Sequence, residues 1–494
     1  MFKIGFDNDK YLSMQSQRIR ERIASFGGKL YLEFGGKLFD DYHASRVLPG
    51  FKPDSKLQML LQLKDQAEIV VVISSEDIAQ NKVRGDIGIT YDLDVLRLID
   101  SFRQYGLYVG SVVLTRFEGQ PAAQAFANKL QSLGITVYRH YPIEGYPSNL
   151  THVISDEGYG KNDYIETTRE LVVITAPGPG SGKMATCLSQ LYHEHKRGVK
   201  AGYAKFETFP IWSIPLNHAV NLAYEAATAD LSDVNMIDPY HLDAYGERAV
   251  NYNRDIEVFP VLNAIFNMIL GESPYKSPTD MGVNMAGFCI IDDDACTEAS
   301  KQEIIRRYYK TLAARKTGNA AAEEVVRIEL LMKKAGITTA DRKPVSPALT
   351  KAELTEAPAA AIELHDGRII TGKTSELLGA SSAMLLNALK ALAGIPDETL
   401  LISPSVIEPI QHLKVTHLGN ENPRLHTDEI LIALSICAAE DENAKLALEQ
   451  LKKLDSCEMH SSVILSDVDM KIFRKLNVNV TCEPVYQKQG LYHK

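Results

Sequence analysis

The segment Ala176-Pro177-Gly178-Pro179-Gly180-Ser181-Gly182-Lys183 contains the residue types that hold a phosphate. Glycines let consecutive backbone N–H groups converge on an anion, and a lysine can reach its outer oxygens. Gly178, Gly180, Ser181, Gly182 and Lys183 are therefore candidate phosphate-binding residues. The pattern departs from the usual phosphate loop at both ends: Pro177 replaces its first glycine, and Met184 stands where a Ser or Thr would ligate Mg²⁺. Thr186 is the candidate substitute. A tight turn with a solvated lysine is the competing reading.

Further polar groups fall where ligands are usually held. Lys205 and Glu207 end a short strand in AGYAKFETF, and in a doubly wound sheet ligands sit at the carboxyl ends of strands. Asp238, after the apolar stretch of DVNMIDPYH, has the setting of a carboxylate that holds Mg²⁺ through water, although Asp before Pro also begins turns. The loop SPYKSPTDMGVNMAGF brings Lys276, Thr279, Asp280 and Asn284 into a polar, glycine-containing stretch of the kind that binds ligands, with Asp280 a second candidate for Mg²⁺. LFDDYHASRVLPGF places Asp40, Asp41, His43 and Arg46 close together, either as an anion or metal cluster or as a solvated turn. Asp40, His43, Lys276 and Asp280 would be the catalytic set of a site between domains.

Three tempting patterns fail on physical grounds. Gly367 to Thr374 matches G-x-x-x-x-G-K-T letter for letter, but Asp366-Gly367 lies between two alternating runs, the signal for a hairpin turn. A strand of Arg-Ile-Ile-Thr cannot curl around a phosphate. His193 and His195 are two apart on a helical pattern and point to different sides, whereas a zinc protease needs a spacing of four. The six cysteines are dispersed without a C-x-x-C pair, so they read as reduced thiols and no zinc is expected.

The elements that would position these groups alternate. From Tyr31 to about Tyr141, the runs KLYLEF, EIVVVIS, LYVGSVVL and TVYRHY alternate with helical patterns, and ELVVITA leads into the glycine loop. Continuous apolar runs of this kind predict a mostly parallel, doubly wound sheet with helices on both faces, so the fold class is α/β. The expected organisation is a phosphate-loop-like α/β domain over 1–229, a helical domain over 230–337, a linker at 338–358 and a further α/β domain over 359–494.

Composition bounds the function. At 494 residues, with a net charge of −10 and 45% hydrophobic residues, the chain is a multidomain globular protein without the electrostatic footprint of a nucleic-acid binder. No run approaches the ~18–20 apolar residues of a spanning helix, and MFKIGFDNDK does not read as a signal peptide. A cytoplasmic homo-oligomer that meets neither membrane nor nucleic acid is expected.

The stretches YLEFGGKLFDDYHASRVLPGFKPDSK, VVITAPGPGSGKMATCLSQLYHE, DPYHLDAYGERAVNYNRDIEVFPVL, YKSPTDMGVNMAGF and NENPRLHTDEILIALS resemble an uncharacterised bacterial family, catalogued as a domain of unknown function. The resemblance covers essentially the whole chain. Members are sometimes labelled ATP-dependent peptidases, yet these residues contain no peptidase constellation. A second resemblance concerns AIELHDGRIITGKTSELLGASSAMLLNALKALAGIPDETLLIS, which is similar to the opening of cytidine-deaminase-like domains. That fold would carry a zinc ligand and a glutamate on the helix that here reads Ser381-Ser382-Ala383-Met384, and two cysteines on a second helix, yet the following stretch Pro404 to Pro409 has none. The implied module lacks zinc chemistry and would serve assembly or binding.

The leading expectation is a protein that binds ATP, GTP or another phosphate-containing small molecule, with Mg²⁺ as a possible cofactor and phosphoryl transfer or hydrolysis as the chemistry. The alternatives are a non-catalytic scaffold or metabolite sensor, and an ATP-independent enzyme with an interdomain site.

Overall fold

Seven short runs, rich in β-branched residues in β2, β3 and β5, form one all-parallel sheet: β1 (Leu30–Phe34), β2 (Ala67–Ser74), β3 (Tyr108–Thr115), β4 (Thr136–Arg139), β5 (Leu171–Thr175), β6 (Gly202–Phe206) and β7 (Gly282–Val283). The structure is a computed structural model and describes residues 3–36, 38–39, 41–84 and 88–487. Every residue of β1, β2 and β5 is buried. Alternate residues serve two cores: Leu30, Leu32, Ile69 and Val71 face one, and Tyr31, Val70, Val72 and Val172 the other. At about 1.5–3 kcal/mol per buried aliphatic side chain, this two-faced burial supplies most of what holds the sheet.

The strand order is β7-β6-β1-β5-β2-β3-β4. Adjacent strands β1 and β5 therefore send their connections in opposite directions, β1 onward to β2 and β5 back across to β6. Open parallel sheets bind ligands above the carboxyl ends of the strands at such a reversal.

Helix α1 (Lys183–Lys196) follows β5 and packs in the second core through Cys187, Leu188 and Leu191. It is fixed from below by Glu194, which accepts from Lys29 Nζ and Tyr31 Oη, each at 2.6 Å. His193 Nε2 lies 2.9 Å from the Asn162 carbonyl. Glu194 and His193 of the sequence His193-Glu194-His195 thus take structural roles. Helix α2 (Asn253–Leu270) covers the same face through Phe259, Leu262 and Phe266.

The chain divides into two compact units, one of Ile4–Tyr224 with Asp233–Thr297, the other holding Glu225–Ser232 and the chain from Glu298. Residues 230–337, read from sequence as a helical domain, are thus shared between the units: 233–297 belong with the parallel sheet. Residues 338–358, read as a linker, hold helix α3 (Val345–Thr355) and the fully buried Arg342. Arg342 donates to Thr481 Oγ1 at 2.8 Å and to the carbonyls of Met459 and Asn479 at 2.9 and 2.8 Å. It also pairs with Glu458, so this segment is clamped onto the C-terminal sheet.

That sheet has four strands, β8 (Ala359–Glu363), β9 (Ile369–Lys373), β10 (Glu458–Ser461) and β11 (Asn479–Cys482), in the order β9-β8-β10-β11. β8 and β9 are an antiparallel hairpin, Ala359 opposite Lys373 and Glu363 opposite Ile369. Gly367 lies in its turn with φ of +84°, as the Asp-Gly signal predicts, and Lys373 ends the hairpin exposed. Helix α4 (Ala380–Ala393) packs across it.

Candidate functional site

The glycine stretch forms the connection from β5, which ends at Thr175, to α1, which begins at Lys183. Gly182 is the N-cap with φ of +91°, a left-handed conformation that glycine reaches without strain. The loop is held by its own polar groups: Ser181 Oγ donates to the Gly178 carbonyl at 3.0 Å, and Thr115 Oγ1 donates to the Ser181 carbonyl at 2.8 Å. Its N–H groups are not used in the same way. Those of Gly178, Gly180, Ser181 and Gly182 find no acceptor among the described residues. Lys183, half-buried at the first position of α1, has no hydrogen bond or ion pair among them either. Thr186 differs from its expected role as a metal ligand, because its Oγ1 donates to the Gly182 carbonyl at 3.0 Å.

Beside this loop the sheet buries an ionic cluster. Glu33 on β1 and Lys205 on β6 are register partners and share one face. Tyr203 Oη donates to Glu33 Oε2 at 2.7 Å. Lys205 Nζ lies 2.9 Å from Glu207 Oε1, and also pairs with Asp255, in the first turn of α2, and with Tyr252. Burial opposes the Lys205 charge, but Asp255 and Glu207 outweigh it and hold the ammonium well above the ordinary lysine range. Burial, reinforced by Asp255 and Glu33, pushes Glu207 up to about 7 against the pull of Lys205. The Cys187 thiol on α1 is raised well above its usual value by burial and by Glu33. A carboxyl that titrates near neutrality in a buried cluster at the carboxyl ends of the strands is a group suited to proton transfer.

Lys205 and Glu207 are thus brought together as the sequence suggests, whereas Glu33, Asp255, Tyr203 and Tyr252 were not singled out. One signal was available: Glu33 is the only charge in the otherwise apolar strand LYLEF, directly before Gly35-Gly36. His43 reaches the same neighbourhood, its ring 5.3 Å from Phe209 and 6.0 Å from Tyr224. The electrostatics of Tyr224 in turn respond to Lys205 and Glu207. Asp40 lies outside the described residues. Its neighbour Asp41 pairs with Lys56 at 2.7 Å.

The remaining candidates sit elsewhere and mostly serve the fold. Asp238 is fully buried and N-caps the helix Pro239–Tyr245. Its Oδ1 accepts from the N–H groups of Tyr240 and His241, both at 3.0 Å, and its Oδ2 from the N–H and Oγ1 of Thr279 at 3.2 and 2.6 Å. Four donors fill a carboxylate's four acceptor directions, so the turn-forming role displaces the magnesium role. Asp280 is committed through one oxygen: its Oδ2 accepts from the N–H groups of Lys276 and Ser277 and from Tyr245 Oη, and its Oδ1 lies 3.9 Å from His241 Nδ1. Lys276 is exposed, 5.7 Å from the Tyr245 ring centre. Asn284 is buried and ties its amide to the Thr208 and Pro210 carbonyls at 3.2 and 2.9 Å. Among the described residues there is no group of three or more His, Cys, Asp or Glu arranged to hold a metal, and no helix is long and apolar enough to cross a membrane.

Comparison with known proteins adds kinship. The family models for the N- and C-terminal parts of DUF1846, a domain of unknown function, match residues 4–336 and 340–492. The chain is similar to the UPF0371 protein of Streptococcus sanguinis (strain SK36), 58% identical over 494 residues, with 100% of both chains covered. UPF0371 proteins of Streptococcus thermophilus (strain ATCC BAA-491 / LMD-9) and Streptococcus pneumoniae (strain JJA) match with the same identity and coverage.

Proposed function

On the premise that the chain belongs to the DUF1846 family of unknown function, we propose that it binds a phosphate-bearing small molecule, such as a nucleotide, in the crevice between β1 and β5. The phosphate would lie on the 178–183 loop, with Lys183 as its counter-charge, and the rest of the ligand would extend over Glu33, Lys205, Glu207 and Asp255. The observation that carries this reading is the run of uncommitted N–H groups at the start of a 14-residue helix, placed where the sheet reverses its winding.

The adjacent cluster favours acid–base chemistry on that ligand. Glu207 would take up or release a proton at neutral pH, and Lys205 would stabilise negative charge that develops beside it. Phosphoryl transfer keeps its phosphate loop but loses to the fold the two carboxylates expected to hold magnesium, Asp238 and Asp280. The crevice carboxylates Glu207 and Asp255 already hold an ammonium. The test is thermal stability against inorganic phosphate, ATP and GTP with and without Mg²⁺, since a ligand at 100 times its Kd adds about 2.7 kcal/mol. Absence of any shift with phosphate-bearing compounds would leave the scaffold reading in its place.

For the C-terminal unit we infer a deaminase-like module without zinc chemistry. The hairpin β8–β9 followed by α4 supports that likeness, and Ser381 and Ser382 lie in the first turn of α4. Elemental analysis that finds one tightly held zinc per chain after mild chelation would refute it.

A further inference from the structure

A cavity of about 400 Å³ lies on the far edge of the parallel sheet, between β7 with its flanking loops and the N-terminal helix Asn8–Ser25. Its wall is preformed. Gln15 Nε2 donates to the Val283 carbonyl at 2.7 Å and its Oε1 accepts from Met285 N–H at 2.9 Å, which fastens the helix along the open edge of β7. One side is apolar: Trp212 and Phe288 meet edge to face with ring centres 5.8 Å apart, and Met14 and Met285 flank them. Trp212 Nε1 is engaged by the Asn284 carbonyl at 2.9 Å, so the indole is held in place.

The opposite side presents one cation with unused donors. Arg22 donates Nη2 to the Asp280 carbonyl, its Nε is buried without an acceptor, and its Nη1 has none among the described residues. Glu21 is occupied by Arg18 at 3.0 Å and by Gln17 at 3.1 Å, and Asp280 takes two backbone N–H groups and Tyr245 on Oδ2, while its Oδ1, 3.9 Å from His241 Nδ1, makes no hydrogen bond to Arg22. His241, also on the lining, shares Nδ1 with Ser277 Oγ at 3.0 Å. A guanidinium with unused donors in a half-buried pocket costs free energy unless an acceptor meets it.

We propose that this cavity is a second ligand site that takes a small aromatic anion, its ring against Trp212 and Phe288 and its carboxylate or phosphate on Arg22. The ring is matched by edge-to-face aromatic contact and the anion by the planar donor fork of arginine. The site is separate from the β1–β5 crevice and does not depend on Lys183.

Trp212 is the chain's single tryptophan, so its emission reports on this cavity alone. The experiment titrates the full chain with phenyl phosphate and with benzoate, against inorganic phosphate and benzyl alcohol as half-ligands. A saturable change with one or both aromatic anions is expected, and none with either half-ligand at the same concentrations. Arg22→Gln should weaken binding roughly 10- to 100-fold, and Lys183→Ala should leave it unchanged. No saturable response to either aromatic anion, an equal response to a half-ligand, or a Kd unmoved by Arg22→Gln would overturn the proposal. Should Arg22→Gln fail to fold, Phe288→Ala at a partly exposed position gives the same decision: a loss of roughly fivefold or more supports the site, and an unchanged Kd overturns it.

Discussion

Lys205 and Glu207 are two positions apart at the end of β6, and their charged atoms, Nζ and Oε1, lie 2.9 Å from each other in a buried cluster. The pair is unbalanced, because Asp255 claims the same ammonium and Glu33 stands in register beside it. Glu207 absorbs the excess negative charge by binding a proton more tightly than a free glutamate does.

That displacement makes stability depend on pH. Glu207 is raised to about 7 from 4.5, so between these values the folded state binds more protons than the unfolded chain and stability falls as pH rises. Glu207→Gln, which cannot ionise, should remove this slope and gain on the wild type by a few kcal/mol between pH 4.5 and 7. Urea unfolding of both proteins at pH 5 and pH 7.5 measures it; parallel pH trends would show that Glu207 is not displaced.

Lys183→Ala should leave the fold intact, since the side chain has no partner to lose among the described residues. It should weaken binding of a phosphate-bearing ligand by about 1.5–3 kcal/mol, the scale of a charge-assisted hydrogen bond. Calorimetry on whichever phosphate compound stabilises the wild type decides the matter, and equal affinities would take the loop out of the site.

Asp238→Ala should act on stability rather than on the crevice. It deletes a helix N-cap and orphans Thr279, at a combined cost of about 2 kcal/mol or more. Chemical denaturation measures this cost, and crevice binding in the folded fraction should be unchanged. A stable variant that had lost magnesium-dependent binding would restore the metal role.

The two glycine–lysine segments can be set against each other. Lys373→Ala, at the exposed end of a hairpin, should stay within about 0.5 kcal/mol of wild type and bind ligand normally. Gly367→Val should cost at least about 1 kcal/mol through backbone strain at φ +84°, because no neighbouring atom lies within 4 Å of the added Cβ to clash instead. Loss of phosphate-ligand binding in Lys373→Ala alone would reverse the assignment of both segments.

What the residues declare by themselves is local. The β5–loop–α1 unit, the Asp366-Gly367 hairpin and the mostly apolar strands were legible because strand, turn and helix signals act over a few neighbouring residues. The same reach explains the misreading of Asp238, whose Thr279 partner is 41 positions away, and of 338–358, where polar composition concealed Arg342 clamped to strands more than 100 positions further on. Only the tertiary fold decided that β5 inserts between β1 and β2, which places the reversal of winding between β1 and β5, and that β6 pairs with the opposite edge of β1, which sets Glu33 beside Lys205 across 172 positions of sequence. Parallel neighbours are joined by long crossovers, so their pairing is chosen by how whole faces bury against helices, a global balance that no short window of sequence contains.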